Sequence, residues 1–319
     1  MARTTNINRR TLVVGGATLT LTAAVTPLWA ASHAKEGGEA MQTADVSGVS
    51  RQTVGEHEVI AFLDGRIQLP ASALSGAPDE EIRKLMGGDS FGAYINAFLV
   101  RGSDETVLID TGAGQMMGSA SGRLDAHMRE IGIDPSTIDT ILATHLHPDH
   151  IGGIVGAGEL VTPDTKLVVH ENEVAFWTSE ENKAAAGESN AQFFDAARSA
   201  LDAFGDRVER ISGETDVAGS MRSMELFGHT PGHTGFMLDS GGEQMLVWGD
   251  IIHVPPVQFA EPQVTIGFDV NPEEAAATRQ RVLDMVTADG VPVAGMHLAF
   301  PAMGMITRSA DGYGFETMG

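Results

Sequence analysis

The chain has 319 residues, 42% of them hydrophobic, with a net charge of −23 and no cysteine. So acidic a surface repels phosphate backbones and anionic membranes, which argues against nucleic acid as partner or substrate. Without cysteine there are no disulfides, thiolate metal ligands, cysteine nucleophile or acylated lipoprotein anchor, and the length suits either two domains or one large α/β unit.

Taken in order, Arg3, Arg9 and Arg10 precede a charge-free stretch from Thr11 to Ser32, and Ser32-His33-Ala34 offers a small-residue cleavage site. Asn8-Arg9-Arg10-Thr11-Leu12-Val13 resembles a twin-arginine export signal. Residues 1–34 therefore read as a removable leader that sends the protein to the periplasm or medium, with no stable membrane insertion after processing. The alternative is an uncleaved anchor, since the stretch is just long enough to span. Residues 35–50 are small and polar and read as a flexible mature N-terminus. The folded domain is expected over 51–319.

His57–Gly65 reads as a strand running into a turn, and Pro78–Gly87 as a short helix closed by glycine. Tyr94–Val100 and Thr106–Ile109 suggest a hairpin about Arg101–Asp104, and Ser121–Ile131 a helix ended by Gly132. Ile138–Ala143 is short, apolar and branched, and reads as a buried strand. Thr165–His170 is a further strand and Asn190–Phe204 an amphipathic helix stopped at Gly205. Met221–Phe227, Gly235–Leu238 and Gln244–Trp248 are strands. Asn271-Pro272-Glu273-Glu274 opens a helix with a capping Asn, an early Pro and acids near the positive dipole end. Val291–His297 is expected as the last strand.

Directly after Ile138–Ala143 comes Thr144-His145-Leu146-His147-Pro148-Asp149-His150-Ile151-Gly152-Gly153, with three histidines and an aspartate in six residues. Imidazole and carboxylate together suit zinc and its first-row neighbours. One ion cannot easily use all four groups: His145 and His147 project alike, while Asp149 and His150 turn towards a second position.

This H-x-H-x-D-H loop resembles the signature of the metallo-β-lactamase superfamily. The other positions of that pattern follow in order: Asp110 in Val107–Gly112, a histidine in His229-Thr230-Pro231-Gly232-His233, Asp250 in Trp248-Gly249-Asp250, and His297 near the C-terminus. The resemblance implies an α/β fold, the αββα sandwich of two mixed β-sheets flanked by helices. It implies two divalent ions per chain, with Zn2+ expected and Mn, Co or Fe as alternatives. The first would be held by His145, His147 and His233, the second by Asp149, His150 and His297, with Asp250 bridging. His229 is read as a structural loop residue. Asp110 would orient a ligand histidine through a hydrogen bond. Two such ions share a water and bring its pKa towards neutrality, giving a bridging hydroxide nucleophile. The lactamases that ligate zinc through cysteine do not fit, because this chain has none.

Within the superfamily, Ala175–Ser179, Gln192-Phe193-Phe194, Val257-Gln258-Phe259, Phe300–Gly304 and Gly312–Phe315 resemble the exported methyl parathion hydrolase-like group. The resemblance places Trp177 and Phe193 on the wall of a leaving-group pocket. It differs in the loop after Gly114, which carries Met116 and Met117 where that group has an aromatic, and at His253, where an apolar wall residue is expected. His253 could therefore act catalytically beside Asp149 and Asp250. The expected activity is hydrolysis of small-molecule lactones or aryl esters, with phosphotriesters as the alternative. A thioesterase, a β-lactamase and an iron dioxygenase of the same fold fit less well. Assembly is left between monomer and homodimer.

Overall fold

The computed structural model describes residues 48–318, apart from 103–104 and 156–157. The leader, most of the N-terminal segment and part of the turn expected about Arg101–Asp104 lie outside the described residues. The folded unit begins two residues earlier than expected, with β1 (Val49–Val54). It continues through β2 (His57–Pro70), β3 (Leu74–Ser75), α1 (Asp79–Met86), β4 (Ser90–Arg101) and β5 (Thr106–Ile109). Next come α2 (Leu124–Glu130), β6 (Thr140–Leu142), the one-turn α3 (Pro148–Ile151), β7 (Lys166–His170), α4 (Glu171–Thr178), α5 (Glu180–Ala186) and α6 (Glu188–Phe204). The second half runs β8 (Val208–Ile211), β9 (Met221–Glu225), β10 (Thr234–Ser240), β11 (Glu243–Val247), α7 (Pro255–Gln258) and β12 (Thr265–Ile266). It closes with α8 (Pro272–Asp289), β13 (Val293–Ala294), β14 (Met303–Ser309) and β15 (Gly312–Thr317).

The strands form a seven-stranded sheet, order β1-β2-β4-β5-β6-β7-β8, and a six-stranded sheet, order β15-β14-β13-β11-β10-β9. Period-two alternation in the strands decides what each face covers. Val59 and Ala61 of β2, with Phe98 and Val100 of β4, join Phe236, Leu238, Val247 and Met303 in the core between the sheets. Their neighbours Ile60, Phe62, Ala97 and Leu99 face the other way, onto Met128 of α2 and Ala197, Leu201 and Phe204 of α6. On the far side of the second sheet, Val282, Leu283 and Val286 of α8 extend the core. This is the expected αββα layering.

Several boundaries moved. β2 runs five residues beyond the anticipated turn, carried through a bulge between Leu63 and Gly65. The stretch ending at His297 is not the last strand: only Val293–Ala294 pairs there, and the β14–β15 hairpin follows. That hairpin is hidden in the sequence because glycines and charges break its alternation. Asn271 caps α8 as anticipated, its side chain accepting from Glu274 N at 3.3 Å. Among the described residues no helix is long and apolar enough to cross a membrane.

β5, β6 and β7 run parallel, as do β11 and β13. Asp110, the His145–His150 loop, Asp250 and His297 all follow the C-terminal ends of these parallel strands. Ligand sites of open α/β sheets gather at that edge.

Candidate metal centre

Beyond Leu142 the chain bends at Thr144 and is extended again at His147, with φ −71° and ψ 151°, and His145 and His147 bring their rings together. Pro148 then starts the one-turn α3, and this turn carries Asp149 and His150 off in a different direction. His145 Nε2 approaches His147 Nδ1 at 2.9 Å, and His229 Nε2 approaches the same atom at 2.9 Å. With a carboxylate oxygen of Asp250 they make four donors within 4.8 Å of one another. A second group joins Asp149, His150 and His297, and a third joins Asp250, His253 and His297. Asp250 lies between them, with Oδ1 3.2 Å from His150 Nε2 and Oδ2 3.3 Å from His229 Nε2 and 3.2 Å from His297 Nε2.

The outward-facing nitrogens explain why these rings converge. His150 Nδ1 donates to Asp110 Oδ2 at 2.6 Å, and Asp110 is itself held by Thr144 N and Thr144 Oγ1. His229 Nδ1 donates to Asp269 Oδ1 at 2.8 Å, and His297 Nδ1 to the Tyr94 carbonyl at 2.6 Å. Each such bond fixes the tautomer and leaves Nε2 as a lone pair aimed into the centre. His150 Nε2 and Asp250 Oδ1 are buried without a hydrogen-bond partner, an arrangement that costs about 1–3 kcal/mol per group unless something satisfies it. The donor set is nitrogen and oxygen only, which fits zinc, manganese, cobalt or iron. Two divalent ions are compatible with it, His145, His147 and His229 holding one and Asp149, His150 and His297 the other, with Asp250 shared.

The histidine expected in the first set is thereby corrected. His233 has both ring nitrogens engaged elsewhere: Nδ1 donates to Leu226 O at 2.8 Å and Nε2 accepts from Asp250 N at 2.9 Å. It positions the backbone of Asp250 and leaves the ligand place to His229. Gly249 makes that contact possible, since at φ 60° a Cβ there would lie 2.3 Å from His233 Nε2.

Three supporting residues carry no sequence motif. Glu173, fully buried on α4, accepts from Leu146 N at 3.0 Å, Gly232 N at 2.8 Å and Trp177 Nε1 at 2.7 Å. It ties the His145–His150 loop to the loop bearing His229. Asp269 orients His229, and Asn96 Nδ2 holds the His297 loop through the carbonyls of Met296 and Leu298. Their one visible signal was chemical: polar residues inside otherwise apolar or helical stretches.

For the side chains alone, burial and neighbouring imidazoles push His145 and His147 well below the ordinary histidine value. Burial also opposes charge on His150, but Asp250, Asp149 and Asp110 together hold it well above that value. Burial is likewise outweighed at His229, which Asp250 and Asp269 raise to about 9.

Residues 91–297 match the family model described as the metallo-beta-lactamase superfamily. The chain belongs to that superfamily. Its relatives include the N-acyl homoserine lactonase AiiB of Agrobacterium fabrum, 28% identical over 99 residues. That match covers 25% of this chain and 34% of the lactonase, so the chain spans about a third of that relative's length. Of the solved structures, the hydrolase AbOPH of the beta lactamase superfamily superposes with a TM-score of 0.79 at 27% identity, covering 86% of this chain and 99% of that one. AidC, a dizinc quorum-quenching lactonase, superposes at 0.77 with 23% identity and the same coverage, and so speaks for the fold alone.

In this metallo-β-lactamase chain the centre opens into a cavity of about 140 Å³. His147, Asp149, His229, Asp250, His253 and His297 line its floor, and Leu69, Met117, Phe193 and Phe268 its walls. Met117, Phe193 and His253 all line this cavity. Trp177 does not line this cavity. Its indole is buried behind His147, with ring centroids 5.4 Å apart, because Nε1 is bound to Glu173. Trp177 and Phe193 instead share a neighbouring groove with Phe194. Phe268 and the end of β2 were not foreseen as walls. His253 stacks on His297 with both ring nitrogens lacking a hydrogen-bond partner, its Nε2 3.1 Å from Asp250 Oδ2.

Proposed function

We propose that this chain hydrolyses small lactones at a dinuclear metal centre, with aryl esters as secondary substrates. The observation that carries the reading is the cavity itself: every polar group on its floor is a candidate metal ligand or His253, and Leu69, Met117, Phe193 and Phe268 give its walls a largely apolar character beside Arg66 and Gln68. When bound, two divalent cations polarise a carbonyl oxygen and make water acidic enough to supply a nucleophile near neutral pH. The protein's part is to hold that geometry. Asp110, Asp269 and the Tyr94 carbonyl keep three imidazoles in one tautomer, and Leu69, Met117, Phe193 and Phe268 exclude water from the bound acyl group. Burial drives His253 down to about 4 although Asp250 opposes it, so it is neutral at pH 7. Its N–H is placed to offer a hydrogen bond to the ring oxygen as it leaves.

A lactone suits this site better than a phosphotriester because its leaving alkoxide stays tethered and needs no separate pocket. The withdrawal of Trp177 behind His147 and the presence of Met117 remove aromatic surface on which a nitroaryl group would stack, about 0.5–1.5 kcal/mol per contact. The test is kcat/KM on a panel of lactones, aryl esters and dialkyl aryl phosphotriesters with metal-quantified protein. Lactones should lead, and the pair His253→Leu with Met117→Phe should shift the ratio towards the triester. A preference of the unaltered enzyme for the triester would refute the reading and favour phosphotriester hydrolysis. The leader further suggests that this chemistry takes place outside the cytoplasm.

A further inference from the structure

Among the described residues, the only Lys or Arg lining the cavity is Arg66. It stands on β2 directly opposite Tyr94 of β4, the two being register partners. Its Nη2 donates to Tyr94 Oη at 3.0 Å, and its guanidinium carbon lies 4.2 Å from the centre of the Tyr94 ring. Tyr94 also fixes His297 through its carbonyl. One residue therefore aims both a candidate ligand and this cation, and Arg66 lies on the His297 side of the centre. Among the described residues Arg66 has no carboxylate partner, and Nε–H and the Nη1 protons have no protein acceptor.

An immobilised, half-buried guanidinium without an anion, in a chain so rich in carboxylates, is an unfilled recognition element. Resting on the hydrolase reading above, we propose that Arg66 anchors a carboxylate carried by the substrate at a distance from the bond that is cleaved. The acidity of the molecule does not oppose this locally. Two divalent ions outweigh the carboxylates of Asp149 and Asp250, so the loaded cavity is positive. A carboxylate fits better than a phosphate, since one planar fork matches two carboxylate oxygens and no second cation is present to share a dianion. The substrate class is then a lactone or ester with a free carboxylate on its acyl or alkyl arm.

The experiment is calorimetric titration of metal-loaded protein with α,ω-dicarboxylates from succinate to suberate, each against the monocarboxylate of equal length. One carboxylate occupies the centre in both series, and only the dicarboxylates reach Arg66. At one or two chain lengths the dicarboxylate should bind at least about tenfold more tightly. Arg66→Met should abolish that ratio and Arg66→Lys should keep part of it, because lysine retains charge but loses the fork. For an ester bearing a remote carboxylate, Arg66→Met should raise KM with little change in kcat. A purely structural role would weaken both series equally and leave the ratio intact. That result, a ratio persisting in Arg66→Met, or no dicarboxylate advantage at any length would each overturn the proposal. Hydrolysis of a neutral lactone by the unaltered enzyme tests the hydrolase reading separately, since it does not involve a second carboxylate.

Discussion

Replacing Glu173 by alanine should injure the first metal set more than the second. The carboxylate accepts from Leu146 N, Gly232 N and Trp177 Nε1, all buried. Orphaning three such donors costs about 3–9 kcal/mol at 1–3 kcal/mol each. Removing a buried carboxylate returns part of its own desolvation cost. The net loss should therefore fall near the low end, about 3–5 kcal/mol, a drop in Tm on the order of 10 °C for a domain of this size. Glu173→Gln keeps the volume and one carbonyl acceptor but turns an NH2 group towards a backbone N–H, so it should lie between alanine and the unaltered protein. His145 and His147 sit on one of the tied loops and His229 on the other. Metal-dependent melting and elemental analysis should consequently show the first ion lost before the second. Alanine protein that melts within about 1 kcal/mol of the parent and retains two ions of unchanged affinity would refute the clamp.

His229→Ala should lower the metal content towards one ion per chain. His233→Ala should retain two and instead lower Tm, having freed only the Leu226 carbonyl and Asp250 N–H; equal metal loss in both would show the assignment to be wrong. With His150 held well above its ordinary value and His229 raised to about 9, both are protonated at pH 7 when no cation is bound. Loading must then release protons from both, and affinity should rise with pH at least up to about 9. Calorimetry in buffers of different ionisation enthalpy reads this directly, and zero proton release would contradict it. For the leader, replacing Arg9 and Arg10 together by lysine should leave the precursor in the cytoplasm, measured by cell fractionation, whereas normal export would point to another route.

Residues that share a local pattern were legible in the sequence. The H-x-H-x-D-H loop, Asp110, Asp250 and His297 each end a strand that its apolar run announces, and the structure brings them together. His229 and His233 show the limit. They share one short motif, and their roles depend on which ring reaches Asp250 N from the start of β10. That contact spans 17 residues and is governed by the left-handed Gly249. Glu173, Asp269, Asn96 and Arg66 were silent for a related reason. Each is a single polar residue whose meaning comes from a partner on another element, as far as 202 positions away for Asn96 and Leu298. Trp177 failed differently: its residue type suggested a pocket wall, but its N–H required a buried acceptor and found Glu173.

The distribution of the ligands over the two sheets has a mechanical consequence. His145, His147, Asp149 and His150 leave the end of β6 in the seven-stranded sheet. His229, Asp250 and His297 belong to loops flanking β10, β11 and β13 in the other. Cations held by both sets would rivet the two layers together between segments as far apart in the chain as His147 from His229 and Asp149 from His297. In a chain without cysteine they would be its strongest available cross-links against unfolding. Free metal at a hundred times its dissociation constant adds about 2.7 kcal/mol per site. Scavenging that metal would loosen the whole sandwich as well as silence the site, so the durability of the fold would follow local metal supply.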